Sequence, residues 1–389
     1  MQATLNIQGH CDPRFRAVQD AFKQNFDTYG EVGASISVVV DGAAVVDLWA
    51  GHIGPDRTKP WERDTIVNVW STTKGITATC MHRLVDQGLL DLDAPVANYW
   101  PEFAQAGKET LPVRYLLSHQ AGLPAISEPL PLGSAFKWDV MTDALAKQKP
   151  WWEPGTKHGY HAFTYGWLLG EVLRRITGET LGTYFRRQIA EPLGLDFHIG
   201  LAPEYDVRTA ETISAEPPQP GETHFVLDML KDPQSMPFKV LANPPDLFTP
   251  GVVNTREWRA AEIPAANGHG NARAVARLYG ALARGGELDG VRVLSPQAIA
   301  RATEVQATGP DAVMGLPLHM ALGWVVSSPE APLGPNTRAF GHGGAGGSLG
   351  FADLDARVGF GYAMNKMIQT DSLMDPRWPS LIDALYSSL

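Results

Sequence analysis

The sequence predicts an α+β fold in which one antiparallel sheet, assembled from both ends of the chain and flanked by terminal helices, carries an inserted helical domain. Two β-branched runs near the N-terminus are joined by Asp41-Gly42, a strong signal for a tight hairpin turn. Helical periodicity extends from Gly75 to about Gly194, and short strand signals return after residue 320. Such segregation of helices and strands favours α+β over a doubly wound sheet.

The first predicted elements are a helix and a hairpin. Asp12 before Pro13 is typical of an N-cap followed by proline at the first helical position, and apolar residues then mark one helix face. Residues 35–40 and 43–49 are the hairpin strands. Residues 65–70 end a further strand, and residues 75–85 form a helix. Ser71 therefore lies at a strand-to-helix junction.

The later elements follow from periodicity and from glycine and proline positions. Helices are predicted over residues 139–149, 165–176, 271–283 and 378–389, and a further helix is predicted to begin at Ser295. Strands are predicted over residues 320–326, 338–341, 348–353 and 358–364. Residues 202–254 are rich in proline with little periodicity, which indicates a long irregular connection that could cover a site. We predict a sheet domain of residues 1–74 and 255–389, and a mainly helical insert of residues 75–254.

Composition and charge exclude several classes of protein. With 389 residues, 44% of them hydrophobic, the chain can bury a large core. A formal charge of -10 and the lack of a Lys or Arg run argue against nucleic-acid or membrane partners. No apolar stretch approaches the roughly 18 residues that cross a bilayer, and the N-terminus lacks a secretory signal pattern. We therefore expect a cytoplasmic protein. The sequence does not indicate its oligomeric state.

Ser71 and Lys74 form the most informative motif. Three residues apart on a helix, they lie on one face, where an amine can take the proton of a hydroxyl and create a nucleophile. The chain contains a second such pair, Ser134 and Lys137, in a stretch predicted to be a loop. A loop would not hold those two side chains together. The junction setting makes Ser71 the candidate nucleophile.

Two further segments could contribute chemistry. Tyr160 lies between a turn and a helix, and a phenol can act as acid or base where a neighbouring cation lowers its pKa from about 10. An ordinary half-buried tyrosine is the alternative. Residues 341–350 contain six glycines, so a ligand can approach this strand and a free N–H can face a developing oxyanion. A plain hairpin bend is the alternative.

Other motifs are weaker. Ser348 lies in a G-x-S-x-G sequence, but a strand rather than a helix is predicted after it, and no histidine follows His342 that could serve as its base. His158 and His161 form an i, i+3 pair without a third ligand in view, so we predict surface or pocket-lining histidines and neither a metal nor a cofactor. Trp152 could line an apolar acyl pocket, with a place in the core as the alternative.

Several segments, in the right order, resemble the family VIII carboxylesterases, serine esterases related to class C β-lactamases and penicillin-binding proteins. These segments are residues 9–15, 64–75, 116–124 and 350–353. The resemblance implies a β-lactamase and penicillin-binding-protein-like fold. It implies Ser71 as nucleophile, Lys74 as its activating partner and Tyr160 as proton shuttle. It also implies an oxyanion hole formed by the backbone N–H groups of Ser71 and Ala345. His342, Gly343 and Gly344 would then bind the substrate, together with the candidate Trp152.

Two departures from β-lactamases bear on the substrate. The Tyr-x-Asn motif is Tyr160-His161-Ala162 here, and His342 replaces the lysine of Lys-Thr-Gly. The permanent cation that would meet a β-lactam carboxylate is therefore missing. His342 should carry charge only at low pH, and the pKa of Tyr160 should be lowered less than beside two lysines.

These observations favour a serine carboxylesterase that hydrolyses short- to medium-chain esters of small molecules through an acyl-enzyme on Ser71, with room for weak β-lactam hydrolysis. A β-lactamase or D-amino peptidase, an amidase and an acyltransferase on the same scaffold are alternatives. A non-catalytic binding protein is the alternative from another class.

Overall fold

The structure is a computed structural model that describes residues 5–216, 229–368, 372 and 374–389. Its strands are β1 (Gln8–Cys11), β2 (Gly33–Val40), β3 (Ala43–Gly51), β4 (Val67–Asn68), β5 (Phe197–His198), β6 (His269–Gly270), β7 (Glu287–Leu288), β8 (Val291–Arg292), β9 (Val325–Val326), β10 (Ala339–Gly343), β11 (Leu349–Asp353) and β12 (Val358–Met364).

The α-helices are α1 (Arg16–Tyr29), α2 (Thr73–Asp86), α3 (Val113–Leu117), α4 (Trp138–Lys147), α5 (Thr164–Thr177), α6 (Leu181–Phe185), α7 (Glu191–Leu193), α8 (Met236–Ala242), α9 (Arg256–Ala260), α10 (Ala272–Ala283), α11 (Pro296–Ala302) and α12 (Trp378–Tyr386). A π-helical turn, Arg186–Ala190, links α6 to α7. Short 3-10 helices occur at Pro13–Phe15, Trp70–Thr72, Val96–Asn98, Pro101–Phe103, Ser134–Phe136, Pro203–Arg208, Pro245–Phe248 and Val252–Asn254.

One antiparallel sheet joins the two ends of the chain. Among the described residues it has seven strands in the order β1-β3-β2-β12-β11-β10-β9. The N-terminal hairpin meets the C-terminal strands where β2 pairs with β12, from Val40 opposite Val358 to Ala34 opposite Met364. The α+β class, with one antiparallel sheet assembled from both ends of the chain, is therefore confirmed. The domain boundaries at residues 74 and 254 remain a prediction.

The two faces of the sheet carry different helices, as the alternation along β12 shows. Phe360 and Tyr362 point towards α1 and α12, in a core that also contains Phe22 and Leu381. The intervening glycines of β12 lie under α10, and a Cβ added at Gly359 would lie 2.1 Å from a backbone nitrogen of α10. Small residues on one face thus allow the helix to approach the sheet closely.

Helix α2 runs through the centre of the helical part of the molecule. Of its 14 residues, 11 are buried, so the helix is covered on nearly all sides. It packs against α5 and α6, and the core around it includes Ile76, Met81 and Trp167. Because α2 is covered on nearly all sides, a polar side chain on it lies in a dry environment. Ser71 precedes this helix by two residues.

The structure differs from the sequence predictions in several places. The strand predicted over residues 320–326 is reduced to Val325–Val326, with Met320 in isolated bridges. The edge strand Gln8–Cys11 was not predicted. Of the connection at residues 202–254, residues 217–228 lie outside the described part, and the remainder contains α8 and three 3-10 helices rather than wholly irregular chain.

No helix in the described ranges combines the length and the apolar character needed to cross a bilayer.

Candidate active site

Ser71 lies at the strand-to-helix junction that the sequence predicts. Strand β4 ends at Asn68, Trp70 adopts the left-handed region with φ of +46°, and the 3-10 helix Trp70–Thr72 leads into α2. This geometry turns the chain so that Ser71 faces the first turn of α2. The Nζ atom of Lys74 lies 3.1 Å from the Oγ atom of Ser71. The structure thus brings the two residues of the motif into hydrogen-bonding contact.

Lys74 is fully buried, and backbone carbonyls hold its amine. Its Nζ atom donates to the carbonyl oxygens of Ala162, at 2.7 Å, and Ala265, at 2.9 Å. Among the described residues no carboxylate pairs with it. Burial disfavours the ammonium form and places the pKa of Lys74 well below the usual value for lysine. The amine therefore sits beside Ser71 in an environment that favours its neutral form.

Tyr160 completes this cluster. The centre of its ring lies 4.7 Å from the Nζ atom of Lys74 and 5.1 Å from the ring centre of His119. Its backbone N–H donates to the buried carboxylate of Asp311 at 3.0 Å. Burial raises the pKa of Tyr160, and a hydrogen bond with the Ser71 side chain opposes that rise. The expectation that a neighbouring cation lowers this pKa is wrong, because burial raises it and the charge of Asp311 acts in the same direction.

His342 lies on β10, opposite Tyr160. Its ring centre is 6.0 Å from that of Tyr160, and its Nδ1 atom donates to the Gly343 carbonyl at 2.7 Å. The Nε2 atom is buried without a hydrogen-bond partner in the described part of the chain. Burial lowers the pKa of His342 to about 3. The imidazole is therefore neutral at neutral pH, in agreement with the expectation that His342 carries charge only at low pH.

The glycine-rich strand ends in a tight turn beside Ser71. Gly347 donates its N–H to the Gly344 carbonyl at 3.0 Å, and Gly344 donates to Ser348 at 2.8 Å. Ala345 is exposed at the tip of this turn. Among the described residues, neither the N–H of Ala345 nor that of Ser71 has a hydrogen-bond partner. Both donors are thus available to a ligand.

A cavity of about 550 Å³ opens at these residues. Ser71, Tyr160, His342, Gly343, Gly344 and Ala345 contribute to its lining. The other walls are largely apolar, with side chains from residues 229–253, 313–318, 367–368, 372 and 374–378, among them Met229, Leu247, Phe248, Val313, Met314, Met367, Met374 and Trp378. The connection at residues 202–254 therefore does cover part of the site, as predicted. Within the described lining there is no Lys or Arg side chain.

Trp152, the predicted acyl-pocket residue, does not belong to the described lining of the cavity. It is buried with 8% exposure, and its ring packs edge-on against His161 with 6.2 Å between ring centres. Its Nε1 atom donates to the Lys157 carbonyl at 3.0 Å. Trp152 thus packs in the layer behind the site, which is a correction to its expected contact with substrate.

The rival serines do not join this cluster. Ser348 is buried, donates to the Val69 carbonyl at 2.7 Å and lies 3.0 Å from the hydroxyl of Thr72. Ser134 begins a 3-10 helix where a loop was predicted, and Lys137 contacts it through a backbone hydrogen bond of 3.0 Å. The side chain of Lys137 is exposed whereas that of Ser134 is buried. The amine of Lys137 is therefore not buried beside Ser134, and the Ser348 hydroxyl is held by Val69 and Thr72.

The histidines around Tyr160 form a buried layer. His158 and His161 are buried and absent from the described cavity lining, contrary to the expectation of surface or pocket-lining positions. The Nδ1 atom of His119 accepts the N–H of His161 at 3.1 Å, and the Nε2 atom of His161 accepts the N–H of Leu123 at 3.0 Å. Among the described residues no three His, Cys, Asp or Glu side chains are grouped as a metal site.

Sequence reasoning missed His119 and Asp311, which position Tyr160. The ring of His119 stacks between Tyr160 and Tyr165, at 5.1 and 5.0 Å between ring centres. Asp311 holds the Tyr160 N–H and accepts two more N–H groups from residues 313 and 314. His119 lies in one of the segments that carry the family resemblance, which was the available signal. Asp311 lies in an irregular segment without any pattern.

Comparison with known proteins identifies the family. The family model described as Beta-lactamase matches residues 18–380. Esterase/beta-lactamase LipL of Mycobacterium tuberculosis is 38% identical over 378 residues, which cover 94% of this chain and 84% of that protein.

Two solved structures are similar over the whole chain. The crystal structure of a family VIII carboxylesterase has a TM-score of 0.88 and 43% sequence identity, and covers 99% of this chain and 100% of its own. A penicillin-binding protein homolog from Caulobacter crescentus has a TM-score of 0.88 and 41% identity over the same shares. The resemblance to family VIII carboxylesterases and penicillin-binding proteins is thereby confirmed, and the chain belongs to the beta-lactamase family.

Proposed function

We propose that this protein is a serine carboxylic ester hydrolase that forms an acyl-enzyme on Ser71. The observation that carries the proposal is the 3.1 Å contact between the Lys74 amine and the Ser71 hydroxyl at the floor of an apolar cavity. A hydroxyl beside a buried amine is an activated nucleophile. Relatives named as an esterase and as a family VIII carboxylesterase support the same reaction class.

Lys74 acts as the base in acylation. A neutral amine has two hydrogens and one lone pair. The carbonyl oxygens of Ala162 and Ala265 take the two hydrogens, so the lone pair faces Ser71. The Ser71 hydroxyl then donates its hydrogen to the lone pair, and its oxygen attacks the ester carbonyl carbon as the proton moves to Lys74.

Tyr160 acts as the proton donor to the leaving alcohol. Its raised pKa keeps the phenol protonated, and its hydroxyl interacts with the Ser71 side chain where the leaving oxygen departs. The phenol gives its proton as the carbon–oxygen bond breaks, and Lys74 replaces that proton. In deacylation the steps reverse: water attacks the acyl carbon, its proton passes to the amine, and Ser71 is released with its hydrogen.

The developing oxyanion would bind the N–H groups of Ser71 and Ala345. Both lack a partner among the described residues, and both residues line the cavity. Two fixed backbone donors stabilise negative charge in the transition state more than in the substrate. Gly343 and Gly344 place this strand edge along the substrate without side chains in the way.

The cavity selects neutral, apolar esters. Its described lining holds no cationic side chain, and His342 is neutral because of its pKa of about 3. A β-lactam carboxylate or a peptide C-terminus would thus lose water contacts without gaining a counter-ion. The apolar walls instead suit acyl chains of short to medium length. A cytoplasmic location and the absence of a nucleic-acid partner remain predictions.

A substrate panel tests this proposal. Purified protein would be assayed with p-nitrophenyl esters of increasing chain length, small amides and nitrocefin, with Ser71→Ala as the blank. We expect ester turnover to exceed amide and nitrocefin turnover by orders of magnitude. Amide turnover above ester turnover would favour an amidase or peptidase, and nitrocefin turnover above ester turnover would favour a β-lactamase. Transfer of the acyl group to added alcohol in preference to water would favour an acyltransferase.

A further inference from the structure

The turn that presents Ala345 has a defined geometry. The bond from the Gly347 N–H to the Gly344 carbonyl, 3.0 Å long, closes a four-residue turn with Ala345 and Gly346 at its centre. Gly346 has φ of +80° and Gly347 of +123°, values that favour glycine. A trans peptide directs its N–H opposite to its C=O. Since the Gly344 carbonyl points into the turn, the Ala345 N–H points out of it.

Arg377, just before α12, is fully buried and uses all five of its N–H donors. Its Nε and Nη2 atoms donate to the two carboxylate oxygens of Asp375 at 2.7 and 2.8 Å. Its Nη1 atom donates to Glu31 at 2.7 Å and to the Lys366 carbonyl at 3.0 Å. The remaining hydrogen, on Nη2, binds the carbonyl oxygen of Gly346 in the turn.

Trp378 provides a second anchor to the same turn. Its Nε1 atom donates to the Gly347 carbonyl at 2.8 Å. Its ring also covers Gly343, where an added Cβ would lie 2.4 Å from a ring carbon. The two residues that begin the last helix therefore bind two successive carbonyls of the turn, and fix the peptide planes on either side of Gly347.

We propose that Arg377 is a positioning residue that orients the Ala345 N–H towards the oxyanion, with Trp378 as its auxiliary; this inference rests on the proposed function. Two peptide groups link the guanidinium to the substrate. The peptide group between Gly346 and Gly347 accepts from Arg377 through its carbonyl and donates through its N–H to the Gly344 carbonyl. The peptide group between Gly344 and Ala345 then directs its N–H to the substrate. Because two buried carboxylates, Glu31 and Asp375, pair with its guanidinium, Arg377 offers no free positive charge to a ligand and acts through geometry. Two buried carboxylates hold the guanidinium in one orientation, and the guanidinium holds the turn.

Arg377→Lys tests the inference, since lysine keeps the charge between Glu31 and Asp375 but lacks the planar fork of donors. We expect kcat for a p-nitrophenyl ester to fall about 10- to 100-fold with KM within about threefold, because misplacement of an oxyanion donor affects the transition state. Trp378→Phe keeps the packing and removes one hydrogen bond, and should lower kcat by a smaller factor in the same direction. Hydrogen exchange of the Gly347 amide should become faster in both variants.

Arg208→Lys is the matched control. Arg208 also forms a bidentate pair with one aspartate, Asp196, and donates to a backbone carbonyl, but it lies outside the described lining of the cavity. The Arg208→Lys protein should be less stable, while its kcat and the hydrogen-exchange rate of its Gly347 amide stay at wild-type values. The inference is overturned if Arg377→Lys behaves like this control, or if Trp378→Phe leaves both readouts unchanged. Should wild type fail to hydrolyse esters, the exchange measurement still decides whether Arg377 holds the turn, while the proposed function alone fails.

Discussion

Replacing Lys74 with methionine separates the chemical role of this residue from its structural one. Methionine has a similar length and no base. Loss of a general base lowers kcat about 10²- to 10⁴-fold, which corresponds to roughly 3 to 5 kcal/mol in the activation free energy. The same change leaves the carbonyl oxygens of Ala162 and Ala265 without their donor. Each unsatisfied carbonyl costs about 1–3 kcal/mol of stability, so we also expect a lower free energy of unfolding.

Lys108 provides a matched control for that loss of stability. It too is fully buried, and its Nζ atom donates to three backbone carbonyls, those of Gln105, Ala146 and Gln148, at 2.7–2.9 Å. The amine lies in the helical part, and Lys108 is absent from the described lining of the cavity. Lys108→Met should therefore destabilise at least as much as Lys74→Met, yet keep kcat within about threefold of wild type.

The assay is p-nitrophenyl ester hydrolysis at 25 °C together with urea denaturation of all three proteins. If Lys74→Met retains more than a tenth of the wild-type kcat, Lys74 is not the base. The same conclusion holds if Lys108→Met loses as much activity as Lys74→Met at equal stability, because the loss of activity would then follow from unsatisfied buried carbonyls rather than from the missing base.

Three further predictions concern the same cluster. Because burial lowers the pKa of Lys74 in the folded state, the unfolded chain binds a proton that the folded chain lacks. In urea titrations from pH 7 to 9, the free energy of unfolding of wild type should therefore rise by up to about 1.4 kcal/mol per pH unit relative to that of Lys74→Met. Parallel pH dependences of the two proteins would show that the amine is protonated in the folded state. Tyr160→Phe should lower kcat about 10²- to 10⁴-fold with KM nearly unchanged, since the ring still packs on His119; an unchanged kcat would remove the phenol from the mechanism. His342→Lys should raise the ratio of nitrocefin turnover to ester turnover about tenfold, because the introduced ammonium group would contact the nitrocefin carboxylate. An equal rise in His342→Gln would disprove the role of charge.

Local patterns predicted what depends on local geometry. The contact of Ser71 with Lys74 follows from their spacing, and the hairpin follows from Asp41-Gly42, because both arise within a few residues of chain. The start of α11 is equally local, since the side chain of Ser295 accepts the N–H of Ala298 at 3.1 Å. The position of Tyr160 beside Lys74 depends on packing between distant helices, and the family resemblance rather than spacing indicated it.

Burial and long-range backbone contacts account for what the sequence did not reveal. Whether Tyr160 and His342 are neutral depends on how completely the fold covers them, and no local pattern reports this. Trp152 was assigned to the cavity from its residue type, but its ring fills the layer behind it. Asp311 and Arg377 act on backbone atoms of residues far away in the chain, which leaves no spacing rule to detect.

Peptide mapping after covalent labelling tests the central claim most directly. The folded protein would be treated with a fluorophosphonate probe, digested and analysed by mass spectrometry. The proposed mechanism predicts one label on the peptide that contains Ser71, and loss of that label in Lys74→Met at equal folded fraction. A label on Ser348 or Ser134 instead, or no label on the folded wild type, would contradict the assignment of Ser71 as the nucleophile.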